Sequence, residues 1–205
     1  MTRPISIDRK SIVTAAREVF LRDGYNARTR AIARDAGVSE GSLFKHFKTK
    51  PDLFMAAMED DEGISSWADK LMRSAGKSDI RNNLVIVGGE VIEHMHIVLP
   101  RIMMVRSSGI TIKSPSCDAS GVPQPVQRLN ALANYFKAEI KCGRLKMSNP
   151  QVYAQIFLGS LVHYVFQKIV FDFVSVPSGA YVRTVVDMTL KAAMPSGRSR
   201  KGAKK

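Results

Sequence analysis

The stretch AIARDAGVSEGSLFKHF, residues 31 to 47, constrains the fold more than any other part of the chain. Two short helices joined by a tight turn need a small residue where they touch and a residue that tolerates positive φ at the turn. They also need apolar residues that hold them together and a polar cap on the second helix. Residues at fixed spacing meet these needs in that order: Ala33, Gly37, the set Ile32, Val38 and Leu43, and Ser39. The stretch therefore predicts a helix-turn-helix, whereas an ordinary helical hairpin would not explain the basic residues around it.

Apolar residues recur at helical spacing along almost the whole chain, and glycine and proline fall between the periodic segments. The first helix is expected from Asp8 to Arg22, followed by Gly24 in the left-handed conformation. Two short helices follow, and Pro51 opens a long helix that continues to about Arg73. Later helices are expected at about 79–98, 100–111, 124–142, 149–174 and 178–193. The pattern predicts an all-α chain of about nine helices.

Positive charge is concentrated at the two ends of the chain. The net charge is +13, and residues 1 to 50 carry eleven basic side chains against five acidic ones. Residues 198 to 205 add five positive charges and no acid. This distribution favours a polyanionic partner, either nucleic acid or an acidic membrane surface. Residues 195 to 205 are too polar to bury a core, and we expect them to form a disordered basic tail.

We expect a cytoplasmic protein without a membrane partner. No stretch approaches the apolar length needed to cross a bilayer, and the opening MTRPISIDRK lacks the apolar region of a secretion signal. Cys117 and Cys142 do not have metal-ligand spacing, so two reduced thiols are the expected state. A redox-sensing pair is the alternative for these two residues.

Three segments, IVTAAREVF, GY and IARDAGVSEGSLFKHFKTKPDLF, resemble the DNA-binding domain of the tetracycline-repressor (TetR) family over residues 9 to 58. The resemblance implies a three-helix DNA-binding head with the helix-turn-helix, residues 1 to 50. It implies a larger helical body for effector binding and dimerisation, residues 51 to 194, in which the last two long helices pair with their copies in a second subunit. The implied partners are double-stranded operator DNA, a second copy of the chain and a small-molecule effector.

The same resemblance, carried over by position, identifies the recognition helix as Glu40 to Phe47, with its exposed face in the major groove. Base contacts are implied for Glu40, Gly41 and Phe44. Phosphate contacts are implied for Ser42, His46 and Lys50. The predicted DNA-binding residues are Thr29, Arg30, Ser39, Glu40, Gly41, Ser42, Phe44, Lys45, His46 and Lys50.

Helix 2 and the recognition helix each match the family pattern in part, and each contains one departure from it. Thr29 matches a phosphate-contacting position, and Arg30 matches a position at which arginine donates to O6 and N7 of guanine. The preceding segment is one residue shorter than usual, and Arg28 replaces a common capping threonine, so helix 2 begins between Asn26 and Thr29. Phe44 replaces a frequent tyrosine and loses a hydroxyl, but its ring can pack on a thymine methyl group.

We predict no metal site, no cofactor and no enzymatic activity. Ser160, His163 and Asp172 are residue types of a hydrolase triad, but Ser160 lacks the surrounding nucleophile elbow. One predicted helix holds two acidic and two histidine side chains. We interpret them as polar residues of a pocket or of an exposed helix face: Glu90, Glu93, His94 and His96.

Two apolar sets in the body are candidate sites, and ordinary core packing is the alternative for both. The candidates for a ligand pocket are Met95, Met103, Met104, Phe157 and Phe166. The candidates for the dimer interface are Phe157, Leu161, Tyr164, Val182 and Val186.

These observations predict a ligand-responsive DNA-binding transcriptional regulator. The form we expect is a repressor that binds a palindromic operator as a dimer and is released by a small, largely apolar effector. The alternative is an effector-independent, weakly specific DNA-binding protein of the nucleoid type. Nearly equal affinity for operator and random DNA would favour that alternative.

Overall fold

The computed structural model describes residues 8–59, 65–110 and 121–193, which form nine α-helices and no strands. This confirms the all-α fold and the number of helices. The helices are α1 (Arg9–Asp23), α2 (Thr29–Asp35), α3 (Glu40–His46), α4 (Lys50–Met58), α5 (Ser65–Ser74), α6 (Ile80–Ser107), α7 (Gln124–Lys141), α8 (Pro150–Phe171) and α9 (Ser178–Ala193).

The predicted long helix from Pro51 to Arg73 is wrong, because α4 ends at Met58 and α5 is a separate helix. Glu59 has extended backbone angles, φ −60° and ψ 142°. At this end of α4, Arg17 of α1 donates from Nε to the carbonyl of Ala57 at 2.7 Å. A side chain therefore satisfies a terminal carbonyl that another helical turn would otherwise have bonded.

The predicted helix break at Pro100 is also wrong, because α6 continues through the proline. Proline removes one backbone hydrogen bond and normally kinks or breaks a helix. Leu99 and Val105, on either side of the proline, are both buried, and burial of apolar side chains offsets the loss of one backbone hydrogen bond. The missing break here and the extra break after α4 leave the number of helices as predicted.

The chain forms two compact units. From here on, head and body mean these two units and not the ranges divided at residue 50. Among the described residues, the head contains residues 8–59 and 97–110, and the body contains residues 65–96 and 121–193. The division falls within α6, between His96 and Ile97. The functional division at residue 50 stays a prediction.

The core of the head begins with the apolar stripe of α1. Gly24 follows α1 with φ +80° and ψ 176°. Its positive φ is as predicted, but the left-handed helical conformation expected there is wrong. Phe20 meets Phe54 of α4 edge to face at 5.0 Å between ring centroids, and Tyr25 meets Phe54 at 4.9 Å. The fully buried residues on the α1 stripe are Ile12, Ala16, Val19 and Phe20.

The core of the body lies where α7 packs against α5 and α8, and α8 against α9. It includes a carboxylate, Glu139 of α7, which is 0% exposed. Arg144 donates to both oxygens of Glu139, at 2.6 and 2.7 Å, and the backbone N–H of Gly76 donates at 3.2 Å. Burial raises the pKa of Glu139, but these hydrogen bonds outweigh burial and hold the pKa below its ordinary value.

Among the described residues, α8 is long and apolar enough to cross a membrane by length and composition alone. The expectation that no stretch approaches this length is therefore wrong. A core helix of a soluble protein meets the same criterion, so the property by itself is weak evidence for a membrane span.

Candidate DNA-binding site

The turn between α2 and α3 has the geometry that the sequence predicted. Gly37 has φ +69°, a conformation that glycine adopts without steric cost. The N–H of Val38 donates to the carbonyl of Ala33 at 2.9 Å and closes the turn. Ile32 and Leu43 are fully buried and hold the two helices against the head core. These contacts determine how α3 is presented at the surface.

Side-chain caps hold the beginnings of α3 and α4. The Oγ of Ser39 accepts a hydrogen bond from the N–H of Ser42 at 3.1 Å. The Oγ1 of Thr49 accepts one from the N–H of Asp52 at 3.2 Å. Such caps stabilise a helix by about 1 kcal/mol, which matters for α3 because it has only seven residues. Since Ser39 is the cap of α3, its hydroxyl already has an intramolecular role.

The exposed face of α3 consists of the residues predicted to meet DNA. Leu43 is buried in the head core, and Phe47, which follows the helix, is buried with it. Phe44 is 40% exposed, although it is a large apolar residue. Ser42 is half-buried, and the exposed predicted residues on the helix are Glu40, Gly41, Phe44, Lys45 and His46.

Helix α2 begins at Thr29, the later of the two limits that the sequence left open. Arg28 is its N-terminal cap residue in extended conformation and makes no side-chain cap bond. Arg30 is exposed and Thr29 is half-buried. The Thr29 hydroxyl donates to a carboxylate oxygen of Glu40, so a side-chain hydrogen bond joins α2 directly to α3.

Two cations of the head lie over aromatic rings. The Nζ of Lys50 is 4.8 Å from the centroid of the Tyr25 ring. The guanidinium carbon of Arg9 is 4.8 Å from the centroid of Phe47. Such contacts are worth about 0.5–1 kcal/mol at exposed sites. The sequence analysis identified Lys50 but neither Tyr25 nor Arg9 as part of this surface, because the spacing of these residues gives no signal for either pair.

Family models match both the part of the chain that contains the helix-turn-helix and most of the rest of the chain. Residues 12–57 match the family model of "Bacterial regulatory proteins, tetR family", and residues 95–194 match "AefR-like transcriptional repressor, C-terminal domain". The chain belongs to the TetR family of transcriptional regulators.

One relative is the HTH-type transcriptional regulator QacR from Staphylococcus aureus, 36% identical over 63 residues, which are 30% of this chain and 32% of QacR. The chain therefore matches about a third of that relative's length. A TetR family transcriptional regulator from Pseudomonas syringae has the same fold, with a TM-score of 0.59, 18% identity and coverage of 93% and 98% of the two chains. FadR from Bacillus subtilis, solved in complex with stearoyl-CoA, has a TM-score of 0.60, 18% identity and coverage of 90% and 99%.

The pocket candidates of this TetR-family chain are divided between its two units. Met104 packs against the head core, and Met103 of the head is exposed. Met95 and Phe166 of the body are half-buried, and Phe157 is fully buried. Within neither unit do the described residues bring the whole set together, so the grouping of all the candidates stays a prediction.

The residues predicted for the dimer interface lie in the core of the body of this TetR-family chain. Phe157, Leu161, Tyr164, Val182 and Val186 are all buried within the body. Because neighbours from the same chain cover them, they present no surface to a second copy. The exposed apolar residues on the same two helices are Val152, Ile156, Val170, Phe171 and Met188. The predicted interface set does not include these residues, because both helices are apolar on more than one face.

The remaining polar candidates have local roles. Among the described residues, no group of His, Cys, Asp and Glu side chains has metal-binding geometry. The Ser160 hydroxyl donates to the carbonyl of Phe157 at 2.8 Å, and Asp172 pairs with Lys168. Cys142 is an exposed thiol, whereas Cys117 lies outside the described residues.

Proposed function

We propose that this TetR-family chain is a ligand-responsive repressor that binds a palindromic operator as a homodimer. The observation that carries the proposal is the exposed face of α3. This short helix is capped by Ser39, and buried Leu43 packs its opposite face against the head core. In a dimer, two such helices about 34 to 36 Å apart enter successive major grooves on one side of the duplex. A dimer bound there blocks transcription sterically.

At the DNA, we propose that Gly41 and Phe44 approach base edges. A Cβ added at Gly41 would meet nothing closer than the Oγ of Ser39 at 3.9 Å. The fold has room for a side chain at this position, so a need for glycine comes from close approach to the duplex. Phe44 carries no charge and is partly exposed, which suits apolar contact with a thymine methyl group.

We propose phosphate contacts for Ser42, His46 and Lys50, and a guanine contact for Arg30. Lys50 begins α4 beside the recognition helix, and its ammonium group lies over the Tyr25 ring. An ammonium donates in several directions, so it can face the ring and bind a phosphate oxygen at the same time. Arg30 and Lys45 are exposed and add positive charge to the surface.

For the dimer, we propose the exposed apolar residues of α8 and α9 as the interface. Ile156 is 65% exposed and Met188 is 67% exposed. These exposed apolar side chains are candidates for contact with a second copy, because contiguous apolar surface marks interaction sites in soluble proteins. This proposal replaces the buried set predicted from sequence and keeps the same two helices.

The effector is proposed to be a small, largely apolar molecule bound in the body. FadR, which shares the fold, was solved with stearoyl-CoA, and SmeT, another chain of this fold, with triclosan. A ligand that binds the dimer better when its heads are incorrectly spaced releases DNA in proportion to that preference.

The proposed location is the cytoplasm, where the operator lies. The basic tail, residues 195 to 205, lies outside the described residues and is proposed to add affinity for any DNA.

The DNA-binding proposal is tested with two substitutions measured on a genomic binding site and on a random duplex. Phe44→Ala is expected to cost about 1 to 3 kcal/mol of specific binding and to leave random-sequence binding nearly unchanged. Lys50→Ala is expected to weaken both and to reduce the salt slope by about one unit. A folded Phe44→Ala protein that keeps its operator preference would contradict the assignment of α3 as the reading helix. Equal wild-type affinity for both duplexes would favour the nucleoid-type alternative.

A further inference from the structure

The hydrogen bond between Thr29 and Glu40 lies within the surface proposed to contact DNA. Thr29 is the first residue of α2, and Glu40 is the first residue of α3. The hydroxyl is the donor because an ionised carboxylate can only accept. This bond therefore joins the two helices of the motif at residues for which the family resemblance implies a phosphate contact and a base contact.

The bond changes what Thr29 can do at the DNA. A threonine hydroxyl has one proton, and here it points to the Glu40 carboxylate. A phosphate oxygen needs a donor, so Thr29 cannot bind phosphate through its hydroxyl while it holds Glu40. Neither helix uses this hydroxyl as a cap, since Arg28 occupies the cap position of α2 and Ser39 caps α3. In the structure, this hydroxyl donates its hydrogen bond to Glu40.

The same bond limits what Glu40 can recognise. One carboxylate oxygen accepts the hydrogen bond from the Thr29 hydroxyl, and Glu40 is exposed on the face of α3. Oxygens that only accept need a donor on the base edge. In the major groove, cytosine offers its N4 amino group and adenine its N6 amino group, whereas the O6 and N7 of guanine and the O4 of thymine are acceptors. A carboxylate at this position favours amino-bearing bases and repels the others.

We propose that Thr29 is a positioning residue that holds the Glu40 carboxylate toward the base edges, and that Glu40 selects an amino-bearing base, with cytosine preferred, in each operator half-site. This inference rests on the proposed function, because it concerns the base preference of the same surface. It assigns Thr29 to specificity instead of to phosphate binding. It also predicts that the loss of Thr29 affects one base position and not the whole site.

The test is selection from a random duplex library with the full-length wild-type protein and four variants. Thr29→Val removes the hydroxyl and keeps the shape, while Thr29→Ser keeps the hydroxyl and is the matched control. Glu40→Ala removes the acceptor. Glu40→Gln replaces it with an amide that both donates and accepts, which suits adenine. Circular dichroism and thermal melting of each variant establish that the head is folded.

In the wild type, we expect one position per half-site at which cytosine or adenine is preferred over guanine and thymine by about tenfold or more. Glu40→Ala should abolish the preference at that position alone, and Glu40→Gln should shift it to adenine. Thr29→Val should reduce the preference several-fold, whereas Thr29→Ser should retain it. Salt slopes of wild type and Thr29→Val should be equal, because no phosphate contact is lost.

Three results would overturn the inference. An unchanged motif in both Glu40→Ala and Thr29→Val would show that this pair does not read a base. An unchanged motif in Thr29→Val with a lower salt slope would return Thr29 to phosphate binding. Both results leave the proposed function intact, since a motif is still enriched. A wild-type library without any enriched motif would overturn this inference and the sequence-specific regulator together.

Discussion

The head and the body of this chain differ in which of their polar and apolar side chains are buried and which are exposed. In the head, charged and polar groups lie at the surface, and the cation of Lys50 lies over an aromatic ring. In the body, the carboxylate of Glu139 is buried and paired, while Ile156 and Met188 are exposed apolar residues. The exposed groups suit different partners, because charges attract a polyanion whereas apolar surface is stabilised by contact with another apolar surface.

The largest expected effect separates core residues from surface residues on one helix of the body. Leu161→Glu places a charge in a fully buried position and is expected to cost at least about 4 kcal/mol, enough to unfold the body. Ile156→Glu is expected to keep the fold and to weaken dimerisation. Sedimentation and circular dichroism of both variants provide the measurement. A wild-type protein that is monomeric at micromolar concentration would contradict the interface.

A smaller effect separates a buried ion pair from an exposed one. Arg144→Ala leaves Glu139 buried without its main partner and is expected to lower the free energy of unfolding by about 3 kcal/mol. Arg81→Ala is the matched control, because Arg81 and Asp187 pair at 2.7 Å but are both about half exposed. It is expected to cost less than about 1 kcal/mol. Urea unfolding of the two variants tests this, and equal losses would show that burial does not distinguish the pairs.

Two glycines provide a matched comparison between the units. A Cβ at Gly88 of the body would lie 2.6 Å from Cγ1 of buried Val182, so Gly88→Ala should cost about 1 to 3 kcal/mol through overpacking. Gly41→Ala should instead stabilise the free protein by about 0.5 to 1 kcal/mol and weaken operator binding. Thermal melting and DNA titration measure the two effects. Unchanged operator affinity in Gly41→Ala would remove the argument for close approach at α3.

The smallest expected effect is the pH dependence contributed by Glu139. The hydrogen bonds hold the pKa of this carboxyl below its ordinary value in the folded state, so folding favours the ionised form. The stabilisation is complete above the ordinary pKa of a glutamate, about 4.3, and is lost as the pH falls through the lower folded value. The stability difference between wild type and Glu139→Gln should therefore decrease between pH 5 and 3. A difference that does not change over this range would contradict the assigned direction of the shift.

Local rules were sufficient for the motif in the head. The positive φ of Gly37 and the cap at Ser39 were readable from residue type and spacing, because backbone preferences and capping act over a few residues. The Thr29–Glu40 bond was not readable in this way. Eleven positions separate its partners in sequence, and only the packing of α2 against α3 brings them together.

The sequence by itself determined the all-α class and the helix-turn-helix. Helical periodicity reports burial, and the motif is local. Only the tertiary structure decided that α6 continues through Pro100, that α4 ends at Met58, and that Leu161 is core whereas Ile156 is surface. Two physical reasons account for these differences. A helix that is apolar on several faces does not specify which face its own chain covers, and packing energy from distant residues overrides local propensity.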